Sequence, residues 1–325
     1  MGNGSENTIL IGIDEAGLGP LLGPLVISAA GLSVPRELLK EDLWQLLKES
    51  VKKDKKQLAG RMLVTDSKKA FNRSAGLGHL ERTVLSSLAA LGDAPDDIGR
   101  LLNALCPDCA GRIEKYKWYN ENISQPIEAN PDEIGICSAS FSRALKKNQM
   151  SLVLLKSFCF DVAYYNGMVE KVRNKSTVVF TALCGLISDV LKHTEGKAYQ
   201  FLIDRQGGRS RYTEPLRKMF PEMALEVLKE SEKISSYELA DSQRVIRLHF
   251  MVKADAKHFP VSLASMTSKY LREILMGCIN KYFISRCEKI QPTAGYWTDG
   301  KRFVKDLKTY AGYIEYDLKE LIRSR

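Results

Sequence analysis

The sequence has no apolar run that approaches the roughly 18 residues of a membrane-spanning helix, so we expect no membrane partner. Its N-terminal stretch, MGNGSENT, has neither the basic n-region nor the apolar h-region of a secretory signal, and we expect no signal peptide there. Seven cysteines without such a signal indicate reduced thiols and predict a cytoplasmic protein. The sequence contains no internal repeat and no low-complexity tract.

Histidine is scarce, and the surroundings of the histidines do not match the pattern of a Ser-His-Asp hydrolase. A zinc site also has little support. Cys106 and Cys109 form one CxxC, in the sequence CPDC, and Cys137 is a candidate third ligand, but no second pair with zinc-finger spacing follows. We therefore interpret the CPDC cysteines as ordinary thiols.

Charge of one sign is in excess, because Lys plus Arg number 48 and Asp plus Glu number 39, a net charge of +9. This balance favours an anionic partner, and nucleic acid is the commonest large one. The basic run KKDKK at 52–56 is typical of a solvated helix end, although it could contact phosphate. The 44% apolar and 27% charged content is that of an ordinary globular protein.

The order of apolar patterns predicts an α/β fold with a mixed central sheet. TILIGID and PLVISAAGL predict a hairpin, and YQFLID, ALEVLKES and VIRLHFMVKAD predict further strands. Helical spacing occurs at 36–58, 79–91, 138–149, 176–193 and in a long amphipathic segment from about 263. Between about 92 and 135, proline, glycine, asparagine and aspartate are frequent, which predicts an irregular insertion. We interpret 1–325 as a single catalytic domain.

Acidic residues follow apolar strands at three places: Asp14 with Glu15, Asp204 in FLIDRQGG, and Asp255 in FMVKADAKHFP. Strand ends at one edge of a sheet can bring such groups together, and clustered carboxylates repel unless cations neutralise them. Hard oxygen ligands suit Mg²⁺ or Mn²⁺, and four carboxylates can hold two such ions roughly 3.5–4 Å apart to activate water against a phosphodiester. Each acid could instead be a solvated residue at a strand end.

Four motifs carry a family resemblance. GIDEAGLGPLLGP, VTDSKKAF, KADAKHFPVSLASMTSKYLRE and TAGYWTDGKRFVKDL occur in order between residue 9 and about 308. Each resembles an element of type 2 ribonuclease H (ribonuclease HII), usually written GIDEAGRGPLAGP, DSKKL, ADA-x-x-P-x-VSAASI-x-AK-x-x-RD and GY-x-T-x-x-H-x-x-x-L. The first and third matches are long and specific.

The resemblance implies a ribonuclease H-like fold, with helices on both sides of a mixed sheet. It also implies a metal-dependent endonuclease that uses two Mg²⁺ or Mn²⁺ ions and leaves 5′-phosphomonoesters. Its substrates would be RNA/DNA hybrids or ribonucleotides embedded in duplex DNA. Asp14, Glu15 and Asp255 take the places of three catalytic, metal-binding acids, and Asp204 is the choice for the fourth. The competing acids are Asp161, Asp189 and Asp241, in helical or loop-like surroundings.

The same resemblance suggests residues that contact the substrate. The glycines Gly17 and Gly19 allow the backbone to approach a sugar-phosphate strand and offer amide donors. Lys68 and Lys69, in the second motif, could meet the substrate backbone. Tyr296 matches the family tyrosine that packs against the substrate sugar, although the same pattern suits a buried structural tyrosine.

Two departures leave the activity open. Leu18 lies where the family has arginine between the two glycines, and leucine can neither donate hydrogen bonds nor pair with phosphate. Arg302 or Phe303 lies near the position of the family histidine. The intervals from Asp66 to Asp204 and from Asp204 to Asp255 are also longer than usual. The alternative is a nucleic-acid-binding relative with weak or lost catalysis.

Overall fold

The computed structural model describes residues 7–71 and 76–324, so most of the N-terminal stretch considered above lies outside the described residues. The described strands are β1 Thr8–Ala16, β2 Leu25–Val34, β3 Val51–Lys52, β4 Met62–Leu63, β5 Ser151–Phe160, β6 Ala198–Asp204, β7 Ala224–Glu230, β8 Ile234–Ala240 and β9 Val245–Met251.

The described helices begin with a 3₁₀ turn at Arg36–Leu38. The α-helices are α1 Leu43–Leu46, α2 Ser67–Ala70, α3 Gly78–Leu91, α4 Ile98–Leu105, α5 Pro107–Ile113, α6 Lys117–Asn120, α7 Pro131–Lys147, α8 Val162–Val172, α9 Lys175–His193, α10 Thr213–Met219, α11 Phe259–Ile284, α12 Trp297–Tyr310 and α13 Leu318–Leu321.

Seven strands form one mixed sheet in the order β5-β2-β1-β6-β9-β8-β7. The predicted hairpin is confirmed, because β1 pairs antiparallel with β2, which pairs antiparallel with β5. On its other side β1 is parallel to β6, and β6 is parallel to β9. The strands β8 and β7 complete the sheet in antiparallel pairing. The predicted α/β fold with a mixed central sheet is therefore confirmed.

Helices cover both faces of this sheet. Along β1 the side chains of Ile9, Ile11 and Ile13 join a core cluster with α9, whereas Leu10 joins the opposite cluster with α3 and α11. This alternation follows from the two-residue period of a strand. Both faces are buried, which is why TILIGID is continuously apolar in sequence instead of alternating with polar residues.

Gly12 allows α11 to lie directly on β1. A Cβ atom at Gly12 would lie under 3.0 Å from the backbone carbonyl carbon of Pro260 and the backbone nitrogen of Val261, at the start of α11. Only glycine fits so close a contact between two backbones. The contact fixes the segment that begins α11 against the end of β1, where the first two acids lie.

The expectation of an irregular segment at 92–135 needs correction, because this segment contains α4, α5, α6 and the start of α7. Residues that break patterns in the sequence serve here as helix caps: the Asp97 side chain accepts a hydrogen bond from the Arg100 N–H, and Pro107 lies in the first turn of α5. The α4 helix buries Ile98, Leu101, Leu102 and Leu105 in the core.

The prediction of a single helix at 36–58 is also wrong. This segment forms only the 3₁₀ turn, the short α1 and the strand β3, which pairs in parallel with β4. The Trp44 indole N–H donates to the Val64 carbonyl at 2.7 Å, which holds α1 against the segment after β4. The apolar side chains of the 36–58 segment are therefore buried from turns, a short helix and a strand, and not from one face of a single helix. By contrast, the helices expected near 79–91 and 176–193 are present as α3 and α9.

One described helix, α9, is long and apolar enough by length and composition to cross a membrane. Half of its apolar stretch is buried inside the protein, and its side chains from Val178 to Val190 contribute to the core under the sheet. We therefore assign α9 as a core helix, because a buried core helix can have the same length and composition as a membrane-spanning helix.

Candidate active site

The register of the parallel strands places two of the predicted acids side by side. Ile13 on β1 pairs with Ile203 on β6, so the next residues, Asp14 and Asp204, lie at neighbouring strand ends. On the other side of β6, Asp204 pairs with Met251, the last residue of β9. The chain then continues to Asp255, just before α11 begins. The structure thus brings these acids to one edge of the sheet.

Asp14 points to the face that α11 covers. It is 7% exposed, and its pKa is raised well above the ordinary range by burial and by the nearby carboxylates of Glu15 and Asp204. The Ser265 side chain on α11 and the backbone N–H of Glu15, at 2.8 Å, oppose this shift. The Ser268 hydroxyl donates to the Asp14 carbonyl at 2.9 Å, which fixes the strand end against the helix.

Glu15 points to the opposite face, as the strand period requires. Burial and the Asp204 carboxylate raise the pKa of Glu15 to about 7, with Lys68 and the Gln206 side chain opposing the shift. Its Oε2 atom is buried and has no hydrogen-bond partner, and neither has Nε2 of Gln206. A buried, unpartnered carboxylate oxygen is costly unless a further group satisfies it.

Asp204 and Asp255 form the other half of the cluster. Burial raises the pKa of Asp204 to about 6, although its Oδ1 atom accepts the Ala254 N–H at 2.6 Å. The pKa of Asp255 is also raised, by burial and by the Asp66 carboxylate, while its own Oδ1 accepts the Ala256 N–H at 2.9 Å. These two carboxylates interact with each other, since Asp255 contributes to the raised pKa of Asp204.

Lys68 is a cation whose charge acts on three of these acids. It lies on the short helix α2, capped by the Asp66 carboxylate, and it opposes the raised pKa values of Glu15, Asp204 and Asp255. Lys69, on the same helix, lines a separate cavity of about 360 Å³ with Asp66 and Ala256. The structure therefore brings Lys68 to the acids and places Lys69 beside them, on a neighbouring surface.

The glycine loop after Glu15 lies against a buried arginine. Gly17 has φ +94°, and a Cβ there would lie 2.5 Å from Nε of Arg272, so both the conformation and the space require glycine. Leu18 is 39% exposed, and a Cβ at Gly19 would meet open space. The loop thus presents its backbone and one leucine side chain outward, beside the acids.

Tyr296 lies at the start of α12 and is 52% exposed, which contradicts the alternative of a buried tyrosine. The Arg272 guanidinium carbon lies 5.8 Å from its ring centroid, with its Nη2 atom donating to the Ala294 carbonyl at 3.0 Å. Near the position of the family histidine, Phe303 is buried in the core and Arg302 pairs with Asp299 and Asp306. Neither residue supplies an imidazole to this surface.

The three competing acids are held in structural contacts. Asp161 caps α8 and accepts hydrogen bonds from Arg112 and Tyr116. Asp189 pairs with Lys156 and His193, and Asp241 accepts backbone N–H groups in the turn before β9. Their carboxylates are therefore already paired, unlike the Glu15 oxygen.

Two residues near the acids escaped the sequence analysis. Gln206 lies two positions after Asp204, in the glycine-containing sequence DRQGG, and that short distance is the signal that could have identified it. Asp66 lies in the second motif, where its side chain caps α2 and faces Asp255.

The carboxylates of Asp14, Glu15, Asp204 and Asp255 are ligands of the kind that a hard divalent cation prefers, although they do not lie in a coordinating arrangement. Within residues 7–71 and 76–324, no three His, Cys, Asp or Glu side chains are close enough to hold a metal ion as they stand. Carboxylate oxygens with raised pKa values and the unpartnered Oε2 of Glu15 are nevertheless groups that Mg²⁺ or Mn²⁺ would satisfy. A zinc set at CPDC is not formed among these residues either, since Cys137 donates to the Gly60 carbonyl.

Comparison with known proteins gives a consistent picture. No family model matches the chain. Ribonuclease HII of Methanocaldococcus jannaschii is 30% identical over 141 residues, which are 43% of this chain and 52% of that protein. The chain thus spans about half the length of this curated relative.

Two solved structures are also similar in part. Ribonuclease HII in its complex with PCNA from Archaeoglobus fulgidus is 15% identical, with a TM-score of 0.46 over 98% of this chain and 94% of that one. Ribonuclease H2 from Pyrococcus horikoshii is 14% identical, with a TM-score of 0.41 over 97% and 92%. Over the 141 aligned residues, the chain is thus similar to ribonuclease HII, the family that the four sequence motifs resemble.

Proposed function

We propose that the protein is a metal-dependent endoribonuclease that cleaves the RNA strand of RNA/DNA hybrids, or ribonucleotides embedded in duplex DNA, and leaves 5′-phosphomonoesters. The observation that carries the proposal is the position of Asp14 and Asp204 at neighbouring parallel strand ends, together with the buried, unpartnered Oε2 atom of Glu15, whose carboxylate interacts with Asp204. The similarity to ribonuclease HII supports the same reaction class.

Asp14, Glu15, Asp204 and Asp255 would hold two Mg²⁺ or Mn²⁺ ions. When bound, such ions activate a water molecule and stabilise charge on the phosphodiester oxygens. The chain's own residues position the strand that is cut. The backbone of Gly17 and Gly19 allows close approach of a sugar-phosphate chain, Lys68 places a positive charge beside the acids, and exposed Tyr296 offers a flat ring for a sugar.

A cleavage assay tests this function directly. We expect cuts in a duplex with one embedded ribonucleotide or in a continuous RNA/DNA hybrid, no cuts in all-DNA duplex, and complete loss of cutting when EDTA removes divalent metal. Restored cutting on addition of Mg²⁺ or Mn²⁺ completes the test. Binding to both duplexes without any cutting, in either metal, would instead support a nucleic-acid-binding relative with lost catalysis, which the leucine at position 18 favours.

Leu18 should influence which substrate is preferred. Its side chain is 39% exposed, so arginine can replace it without entering the core. A hydrogen bond to a charged group contributes about 1.5–3 kcal/mol, so we expect Leu18→Arg to shift the cleavage ratio toward the single embedded ribonucleotide by about ten- to a hundredfold. The measurement is kcat/KM on the single-ribonucleotide and hybrid substrates.

Leu18→Gln is the matched control, because it adds a polar side chain of similar reach without charge. Melting temperatures of both variants show whether the loop has kept its fold. An unchanged ratio in a stable Leu18→Arg protein would mean that specificity rests on other groups, with Tyr296 and the loop amides the first to examine.

A further inference from the structure

A cavity of about 270 Å³ lies beside the acids, at the glycine loop. Its walls come from five parts of the chain: the loop with Leu18 and Pro20, α8 with Tyr165, the start of α9 with Lys175 and Ser176, the turn after β6 with Gln206, and the segment after α13 with Arg323. Leu18 is three residues after Glu15 and Gln206 is two after Asp204, so the cavity adjoins the carboxylate cluster. The residues that we place in the catalytic cluster do not themselves line it.

Arg323 is a buried cation on this wall. It is 4% exposed, its backbone N–H donates to the Leu21 carbonyl at 2.9 Å, and its guanidinium donates to the Pro20 carbonyl. Its Nε atom is buried without a hydrogen-bond partner, and among the described residues no carboxylate forms an ion pair with it. Burial, together with the nearby Arg272, lowers the pKa of Arg323 to about 10, as expected for a cation without a counter-ion.

Another wall of the cavity is the N-terminus of a long helix, where the helix dipole is positive. α9 has 19 residues, its N-cap Asn174 accepts the Thr177 N–H at 3.0 Å, and its first turn contains no acid. Ser176 lies in the first turn of α9, where backbone N–H groups have no carbonyl partner within the helix, and such groups bind anions. Arg209 adds a further guanidinium, which donates to the Ser176 hydroxyl at 2.9 Å.

Gln206 connects the cavity to the acids. It lines the cavity, and its side chain stabilises the ionised form of the Glu15 carboxylate. A guanidinium and a helix N-terminus therefore border one cavity beside the acids, and both are suited to the oxygens of an anion.

We propose that this cavity is a subsite for a backbone phosphate of the bound nucleic acid, next to the position that is cut. The inference rests on the proposed function and specifies how that site holds its substrate. The apolar walls formed by Leu18, Tyr165 and Val179 suit the sugar that accompanies a phosphate, whereas a free phosphate would fill only part of the space. Arg323 is thus a substrate-binding residue, held in place by the loop that it contacts.

Duplex binding in Ca²⁺ tests the subsite without cleavage. We expect Arg323→Gln to bind the RNA/DNA hybrid about tenfold or more weakly, and to reduce the slope of log Kd against log salt by about one, as loss of one phosphate contact does. The matched control is Arg100→Gln, since Arg100 is an exposed cation on α4 that pairs with Asp96 and Asp97. An equal loss in both variants would overturn the subsite.

A scan of the duplex locates the contact. One phosphate at a time is replaced by an uncharged methylphosphonate along the strand that is cut. Wild-type protein should lose about tenfold in affinity at one position near the cut, and Arg323→Gln should lose nothing further there. A flat scan overturns the proposal, and if inorganic phosphate then raises the melting temperature of wild type but not of Arg323→Gln, the cavity binds free phosphate instead.

A second variant covers the case in which Arg323→Gln does not fold. Ser176→Phe projects a ring into the mouth of the cavity from an exposed position on α9, and Thr177→Phe, next to it, projects away from the cavity lining. We expect only Ser176→Phe to abolish the position-specific effect of the methylphosphonate. If wild type fails to cut any hybrid, the proposed function fails, whereas the binding scan still reports whether the cavity holds a phosphate.

Discussion

Asp14→Asn should lose at least about a thousandfold in kcat/KM on RNA/DNA hybrid while the protein remains folded. The expected size follows from the several kcal/mol that a bound divalent ion contributes to the transition state, because each 1.36 kcal/mol is a factor of ten. Asparagine keeps the shape of the side chain and an oxygen that can accept from the Glu15 N–H, as Asp14 Oδ1 does at 2.8 Å. It removes the charge that would bind metal.

The same substitution should not lower stability without metal. The pKa of Asp14 is raised in the folded protein by burial, Glu15 and Asp204, so its ionised form destabilises the fold at any pH above the ordinary carboxyl range. Removing that charge relieves the repulsion. We expect the melting temperature of Asp14→Asn at pH 8 in EDTA to equal or exceed that of wild type, and the stabilisation by Mg²⁺ to disappear.

Asp161→Asn is the matched control, because Asp161 is also a buried carboxylate but pairs with Arg112 and Tyr116 away from the acids. It should show the opposite result: a loss of about 1–3 kcal/mol of stability and nearly unchanged cleavage by the folded protein. Near wild-type cleavage by Asp14→Asn at saturating Mg²⁺ would exclude the two-metal mechanism.

The strand ends were the most predictable part of the site. An apolar strand that stops at a carboxylate is visible in the sequence at Asp14 and Asp204, and parallel pairing of β1 with β6 brings the two together. The assignment of Asp204 as the fourth acid stays a prediction, because geometry shows proximity and not the reaction. Lys68 was predictable from its motif. The short helix α2 positions it where its charge lowers the pKa of Asp204.

The cavity beside the glycine loop could not be predicted in the same way. Arg323 meets Pro20 across 303 positions of sequence, and no local pattern indicates that contact. The edge strand β5 and the inner strand β8 were also missed, and the half-polar β8 sequence ISSYELA lacks a continuous apolar run. At 92–135, asparagine, aspartate and proline are helix caps as well as breakers, and only the packing of α4 on the core decides between these roles.

Gly12→Ala should be among the most destabilising single changes in the chain. The new methyl group would lie under 3.0 Å from backbone atoms of Pro260 and Val261, and neither β1 nor the start of α11 can rotate away as a side chain can. Overpacking of a core typically costs about 1–3 kcal/mol and occasionally more, and we expect the upper end of that range here. The measurement is the free energy of unfolding in urea, with the melting temperature beside it.

Gly31→Ala on β2 is the matched comparison in the same sheet. Its methyl group would approach the Leu154 side chain at 2.9 Å, and that side chain can shift, so the loss of stability should be clearly smaller. Asp255 lies four residues before the first residue of α11, and Asp14 and Glu15 lie near the end of β1, so any separation of α11 from β1 also spreads the acids. We therefore expect Gly12→Ala to lose cleavage at temperatures where it is still folded, whereas Gly31→Ala keeps it. Equal stability of the two variants would show that β1 and α11 are not in the close contact on which the geometry of the carboxylates depends.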